Sequence, residues 1–446
     1  MFGMRRIVRI VFVLVGGVSG LAAAAWAEVP ASPTFSRDIA PIFQAKCESC
    51  HRPDSIASMS LRTFAEARPW VRSIRSRVEA RQMPPWHIDK TVGIQAFKYD
   101  RSLSDDQIAT IVRWVDQGAV QGDPKDLPPA IAWPVEQEWT YAKMLGQDAP
   151  DLVVRSTPWT QKAGASDTWW TPTVESGLTE PRWVRAIEVR PGTVKGRTIT
   201  HHANADILQD DPDAPAAAMI PGRFSEWAVG KGVEYMRADT GVLMLPGSRI
   251  AWDIHYSNGG EDVTDAIEMG VYFYPKGQRP KYRQHLVRMG KLGPLALDIP
   301  PNTVNLTETY FPLRQAARIE SFQPHMHLRG KAMSMEAILP GGQIVVLSHV
   351  AEFSFMWHAA YTYADDAAPL LPKGTIVKLK AWHDNTASNK ANPDPNVWVG
   401  YGGRTVDEMA HAWVNVTYLS DAEYATEVQA RHARLSKATQ QQQQQQ

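Results

Sequence analysis

The chain has 446 residues, 47 Lys+Arg against 47 Asp+Glu, 44% hydrophobic residues and two cysteines. Zero formal net charge argues against a nucleic-acid binder, whose affinity rests on clustered positive charge. Sixteen Trp, 12 Phe and 13 Tyr are ample for buried cores and exclude a disordered chain, and the length suggests two to four domains of ~150 residues or fewer.

Residues 1–27 have the layout of a secretory signal peptide: Arg5, Arg6 and Arg9, an apolar run from Ile10 to Ala25, and Ala25-Trp26-Ala27 as the cleavage site. Gly16, Gly17 and Gly20 interrupt the run, which argues against an uncleaved anchor. Cleavage before Glu28 would export the chain to the bacterial periplasm. No later stretch approaches the ~18 consecutive apolar residues of a membrane span.

Exported proteins usually spend cysteines on disulfides, yet both lie in one pentapeptide, Cys47-Glu48-Ser49-Cys50-His51. C-x-x-C-H is the attachment motif of haem c, in which two thiols become thioethers and the adjacent imidazole is an axial iron ligand. The rival readings are a redox dithiol and a partial zinc site, and zinc needs more ligands than this segment offers. For the second axial position Met83, in Met83-Pro84-Pro85-Trp86, is preferred over Met59 and His87, with the prolines fixing the backbone and Trp86 shielding the iron. Thr63 to Ala80, interrupted by Pro69, reads as a helix. Ser104-Asp105-Asp106-Gln107 is a capping box opening another helix, with Ile108, Ile111, Val112 and Val115 at helical spacing and Gly118 and Gly122 stopping it. Residues 28–125 resemble a class I-type cytochrome c domain, on Cys47, Cys50, His51 and the Met-Pro-Pro-Trp segment. A proline-rich polar stretch from Asp123 to Pro129 opens a linker, taken as 126–150.

Beyond the linker, short alternating apolar and polar runs separated by Gly, Pro, Asn and Asp predict β-sandwiches, as in Arg182 to Val189 followed by Arg190-Pro191-Gly192. Two all-β sandwiches are expected, at 151–278 and 279–425, divided near Pro275-Lys276-Gly277. Residues 426–446, ending in a glutamine tract, are expected to be a disordered tail. The chemistry lies in the histidines. His201 and His202 are adjacent, so on a regular strand they point to opposite faces unless the backbone bends. Ile250, Trp252 and Ile254 share one strand face, which puts Asp253 and His255 on the other. His325-Met326-His327 places two imidazoles on one side of an extended segment, and Met409 offers a thioether, a ligand that suits Cu(I).

In this order, His-His, a strand His, His-x-His and then Met in Asp-Glu-Met, the motifs resemble the copper type II, ascorbate-dependent monooxygenases, the family of peptidylglycine α-hydroxylating and dopamine β-monooxygenases. Further segments resemble bacterial relatives in which such a module is fused to a cytochrome c. The resemblance covers residues 165–420 and implies two jelly-roll-like sandwiches with one copper each. His201, His202 and His255 would hold an electron-transfer copper. His325, His327 and Met409 would hold the catalytic copper, with the two sites facing each other across a solvent-filled cleft. His383 would support a copper from outside its ligand set, and His411, two residues after Met409, could replace or supplement a ligand.

The fold expected is therefore multidomain: a small all-α cytochrome c domain followed by two all-β jelly-roll-like sandwich domains. The function expected is a periplasmic monooxygenase with one covalent haem c and two type II coppers, hydroxylating a C–H bond of a small organic substrate with O₂. Its electrons would come from an ascorbate-like reductant or a periplasmic redox protein. A blue-copper site is excluded, because both cysteines are spent on haem. A zinc hydrolase built on His-x-His fits the Met ligand poorly. The alternative is a non-catalytic periplasmic carrier of electrons and copper.

Overall fold

The computed structural model describes residues 29–444 except 54, 56, 58, 134–137, 213–221, 230, 232–233, 258, 292 and 294. The expected signal peptide lies outside the described residues. Among the described residues, no helix is long and apolar enough to cross a membrane.

The first hundred residues described hold short helices around one small core. Thr63 and Glu66 form a reciprocal cap that starts Phe64–Ala67. Pro69 then tightens the chain into a 3₁₀ turn, Arg68–Trp70, before Val71–Glu79 resumes as α-helix. Ser104 and Gln107 cap Asp105–Asp116 in the same reciprocal way, and Gly118, at φ 94°, turns the chain out of it. Phe35, Phe43, Ile111 and Trp114 fill the space between these helices.

From Leu152 onward the chain is β-sandwich. An 11-stranded sheet runs in the order Leu152–Arg155, Ile267–Phe273, Arg182–Pro191, Thr240–Met244, Tyr282–Lys291, Ala410–Leu419, Ala316–Ile319 and Leu370–Leu371, with three further strands branching from it. Two smaller sheets cover it. The first is built on Arg249–Tyr256, Thr200–Leu208 and Gly222–Ala228, and its Ile250, Trp252 and Ile254 pack with Val184, Ile187 and Val189. The second joins Val304–Pro312, Ile376–Asp384, Gly330–Ile338 and Ile344–Val350, and its Met333, Met335 and Leu379 pack with Val287, Val414 and Val416. Each buried aliphatic side chain contributes about 1.5–3 kcal/mol, so these two cores dominate stability.

This architecture corrects the expected arrangement of a small all-α cytochrome c domain followed by two all-β jelly-roll-like sandwich domains. The chain is mostly β, and the helices before residue 127 are only 3 to 12 residues long. Their segment is not a free-standing all-α unit. Ile88 bridges to Val350 and Phe97 to Tyr363, and Trp86 and Ile88 are buried in the second β core. Nor are the two sandwiches separate, because Thr240 and Gly241 pair in parallel with Tyr282 and Arg283, carrying one sheet through both.

Two smaller expectations also change. The segment after Leu127 is partly built in, with Trp139 and Ala142 packed on Ala186 and Tyr272. The tail expected to be disordered is helical, Asp421–Gln444. Ser420 and Glu423 cap that helix reciprocally, and the Glu427 carboxylate anchors it by accepting from Tyr282 Oη at 2.7 Å and Arg237 Nη2 at 2.9 Å.

Candidate metal centre and haem cavity

The two sandwich halves bring their histidines to one place. On Arg249–Tyr256 the apolar face carries Ile250, Trp252 and Ile254 into the core, as alternation predicts, and His255 emerges on the other face opposite His202. Pairing resumes at Tyr256 with Thr200, so His201 is an extra residue, a β-bulge. The bulge is the bend that lets both members of the His-His pair serve one site.

The ligating atoms of His201, His202 and His255 lie within 4.8 Å of one another. Nδ1 of His201 and Nδ1 of His202 are 3.2 Å apart, close to the ~3.3 Å that separates two nitrogens on a tetrahedral ion at about 2.0 Å. His255 stacks on Trp169 with ring centres 4.4 Å apart, and its Nε2 stands 3.1 Å from the Asp167 carboxylate, which orients the ring. The side chains present therefore fit a metal ion.

His325 ends the strand Ser321–His325 and pairs with His411 on Ala410–Leu419. Met409 immediately precedes the strand Ala410–Leu419. The rings of His325 and His327 are 5.5 Å apart. His327 Nδ1 lies 3.0 Å from the Asp407 carbonyl, leaving Nε2 as the free ligating atom. The buried Glu408 carboxylate accepts from the backbone N–H groups of His327, at 2.9 Å, and Arg329, at 2.6 Å. His383, fully buried, donates from Nε2 to the Met409 carbonyl at 3.0 Å.

The solvent-filled separation implied by the resemblance is not what the structure has. His202 and His325 stand 6.4 Å apart, ring centre to ring centre, so the two groups form one continuous cluster. Two more buried imidazoles belong to it. His411 stacks on His325 at 4.6 Å, a neighbour that its spacing from Met409 had suggested. His358 lies 5.0 Å from His325 and 5.6 Å from His201. No spacing or periodicity in Phe355-Met356-Trp357-His358 marked it.

Burial sets the charge state of the cluster. It is the largest cause in lowering His201 to about 3 and His358 to about 4, and in holding His202, His325 and His411 well below the ordinary histidine value. Burial also lowers His255, against the opposing pull of Asp167. These rings are neutral at pH 7, the form that binds metals.

Cys47, Cys50, His51, Met59 and Met83 all line one cavity of about 440 Å³, within the range of ligand pockets. His51 Nδ1 lies 3.3 Å from the Met59 carbonyl, which leaves Nε2 for an axial bond. Burial pushes the Cys47 thiol up to about 12, which holds it as the neutral thiol. The residues fit a thioether-bound haem. His87 and Trp86 lie away from that wall. The His87 amide donates to Tyr361 Oη at 3.2 Å, and Trp86 stands edge-on to Tyr361 at 4.9 Å, so Trp86 serves the β core rather than shielding an iron.

No family model and no curated protein matches the chain. Among solved structures it is similar to the major capsid protein P2 of bacteriophage PM2, with 11% identity over 59% of this chain and 97% of that one, at a TM-score of 0.25. It is also similar to the cowpea mosaic virus top component, with 9% identity, 61% and 90% coverage and a TM-score of 0.28. A third is the PBSX exported protein XepA, with 10% identity, 52% and 86% coverage and a TM-score of 0.17. Overlaps this slight carry no argument about what the chain does.

Proposed function

We propose that the chain is an exported haem- and copper-containing monooxygenase that hydroxylates a C–H bond of a small organic substrate. The observation that carries this reading is the convergence of His201, His202 and His255 within 4.8 Å, beside a second imidazole pair, His325 and His327. Imidazoles alone suit zinc, copper, iron or nickel, and a methionine thioether at Met409, as the motif order implies, would favour copper. The motif order supports membership among the copper type II, ascorbate-dependent monooxygenases. Bound copper would supply one-electron chemistry and a place for O₂. The protein contributes the rest: Asp167 orients His255, Glu408 fixes the backbone of His327, and burial keeps the imidazoles unprotonated. Cys47, Cys50, His51 and Met83 would hold haem c, which would supply single-electron exchange with an ascorbate-like or periplasmic protein donor.

The decisive experiment is metal analysis and EPR of protein matured in a host that attaches haem c, followed by O₂ uptake with candidate substrates. One haem, two type II coppers and substrate-dependent O₂ consumption are expected. Absence of uptake by the fully metallated, reduced protein across a broad C–H panel would overturn the reading. A second reading, a non-catalytic carrier, is favoured by one observation: the His358 ring, 5.0 Å from His325, adds an imidazole that would close the coordination of a copper held by His325 and His327. Azide or CO binding at that copper separates the two, since a closed site binds neither.

A further inference from the structure

We propose that Trp357 and His358 form a direct link between the haem cavity and the histidine cluster, His358 as a metal ligand and the Trp357 indole on the cavity wall. The inference rests on the haem and copper reading above and goes beyond it by assigning a route and a ligand.

His358 is buried, and its Nε2 has no hydrogen-bond partner among the described residues. A buried imidazole nitrogen left without a partner presents a bare lone pair, which is how proteins present ligating imidazoles. His327, its Nδ1 fixed by the Asp407 carbonyl, presents Nε2 likewise. An orphaned buried nitrogen is costly, and a metal ion removes that cost. The ring centres of two imidazoles on one tetrahedral ion stand about 5 Å apart. His358 meets that spacing with His325, at 5.0 Å and 66° between ring planes. His411, by contrast, lies nearly parallel to His325 at 25° and 4.6 Å, the geometry of a packing partner.

The preceding residue faces the other cofactor. Trp357 lines the cavity formed by Cys47, Cys50, His51, Met59 and Met83. Consecutive Cα atoms are ~3.8 Å apart, so the wall of the haem cavity and a ligand of the cluster are joined by a single peptide unit. One electron passing along it oxidises ferrous haem to ferric and reduces cupric copper to cuprous, with no proton and no further reactant. A relay by diffusing reductant between the two centres is then unnecessary.

The test uses the full chain loaded with haem and Cu(II), as wild type, Trp357→Leu and His358→Gln. Haem and copper stoichiometry, EPR and thermal unfolding establish loading and folding. Pulse-radiolytic reduction of the haem then gives the rate at which the haem is reoxidised by copper. Trp357→Leu is expected to keep one haem and two coppers and to slow that step at least tenfold. His358→Gln is expected to fold yet lose one copper or change one EPR signal. A Trp357→Leu rate within twofold of wild type, or two coppers with unchanged EPR in His358→Gln, overturns the link. Wild type that binds no haem or no copper overturns the underlying reading as well.

Discussion

The buried carboxylate of Glu408 accepts a hydrogen bond from the backbone amide of His327 at 2.9 Å, and so ties the His-x-His segment to the Asp-Glu-Met segment 81 residues later. The same carboxylate accepts from the Arg329 amide, while Arg329 itself donates to Asn385 Oδ1 and the Val406 carbonyl. Glu408→Gln retains the size but weakens two charge-assisted bonds. It is expected to lower stability by about 1.5–3 kcal/mol in urea unfolding and to weaken the second copper roughly 10–100-fold in chelator competition. Unchanged copper affinity would show that the clamp does not position His327.

Because His201, His202 and His255 already converge, metal should bind the folded chain and not the unfolded one. Cu(II) at ~100 times its dissociation constant is expected to add about 2.7 kcal/mol per site, reversed by chelator. His202→Ala should lose that increment for one site. A wild-type melting temperature indifferent to copper would count against a preformed centre.

Acid should unfold the metal-free chain early. Burial lowers His201 to about 3 and His285 and His358 to about 4, whereas an unfolded histidine titrates near 6.5. Below 6.5 the unfolded chain therefore binds more protons than the folded one, and stability falls as pH drops through the window from 6.5 towards 4. It is fully present above 6.5. Urea midpoints of the copper-free protein at pH 7.5, 6 and 5 should decrease in that order, and a flat or rising series would contradict the assignment.

Cys47→Ala with Cys50→Ala should leave any haem extractable by acidified organic solvent, and His51→Ala should abolish the low-spin absorption spectrum. Met59 and Met83 both line the cavity, so the distal ligand is read by comparing variants. Met83→Ala is expected to remove the sulfur-to-iron charge-transfer band that Met59→Ala retains. The reverse result would assign Met59.

What could be read in the chain before folding was what depends on short spacing. Cys47, Cys50 and His51 fall within five residues and line one cavity, and the capping box at Ser104 and Gln107 places a helix start to the residue. The face carrying His255 follows from alternation with Ile250, Trp252 and Ile254. The box at Ser420 and Glu423 was equally local, and it outweighed the polar composition that had suggested a disordered tail. Other features belong to the tertiary structure alone. Whether the two sandwiches are separate depends on which strand edges meet, and the parallel pairing of Thr240 with Tyr282 leaves no trace in either strand's periodicity. Trp86 looked like part of a haem pocket by proximity in sequence, yet Tyr361, 275 residues away, offers it a better apolar contact. His358 had no neighbour to signal it, because the residues that make it interesting, His201 and His325, reach it only when the sheets pack. Local rules determine which side chains face which way, and only the non-local packing of the cores decides which of them meet.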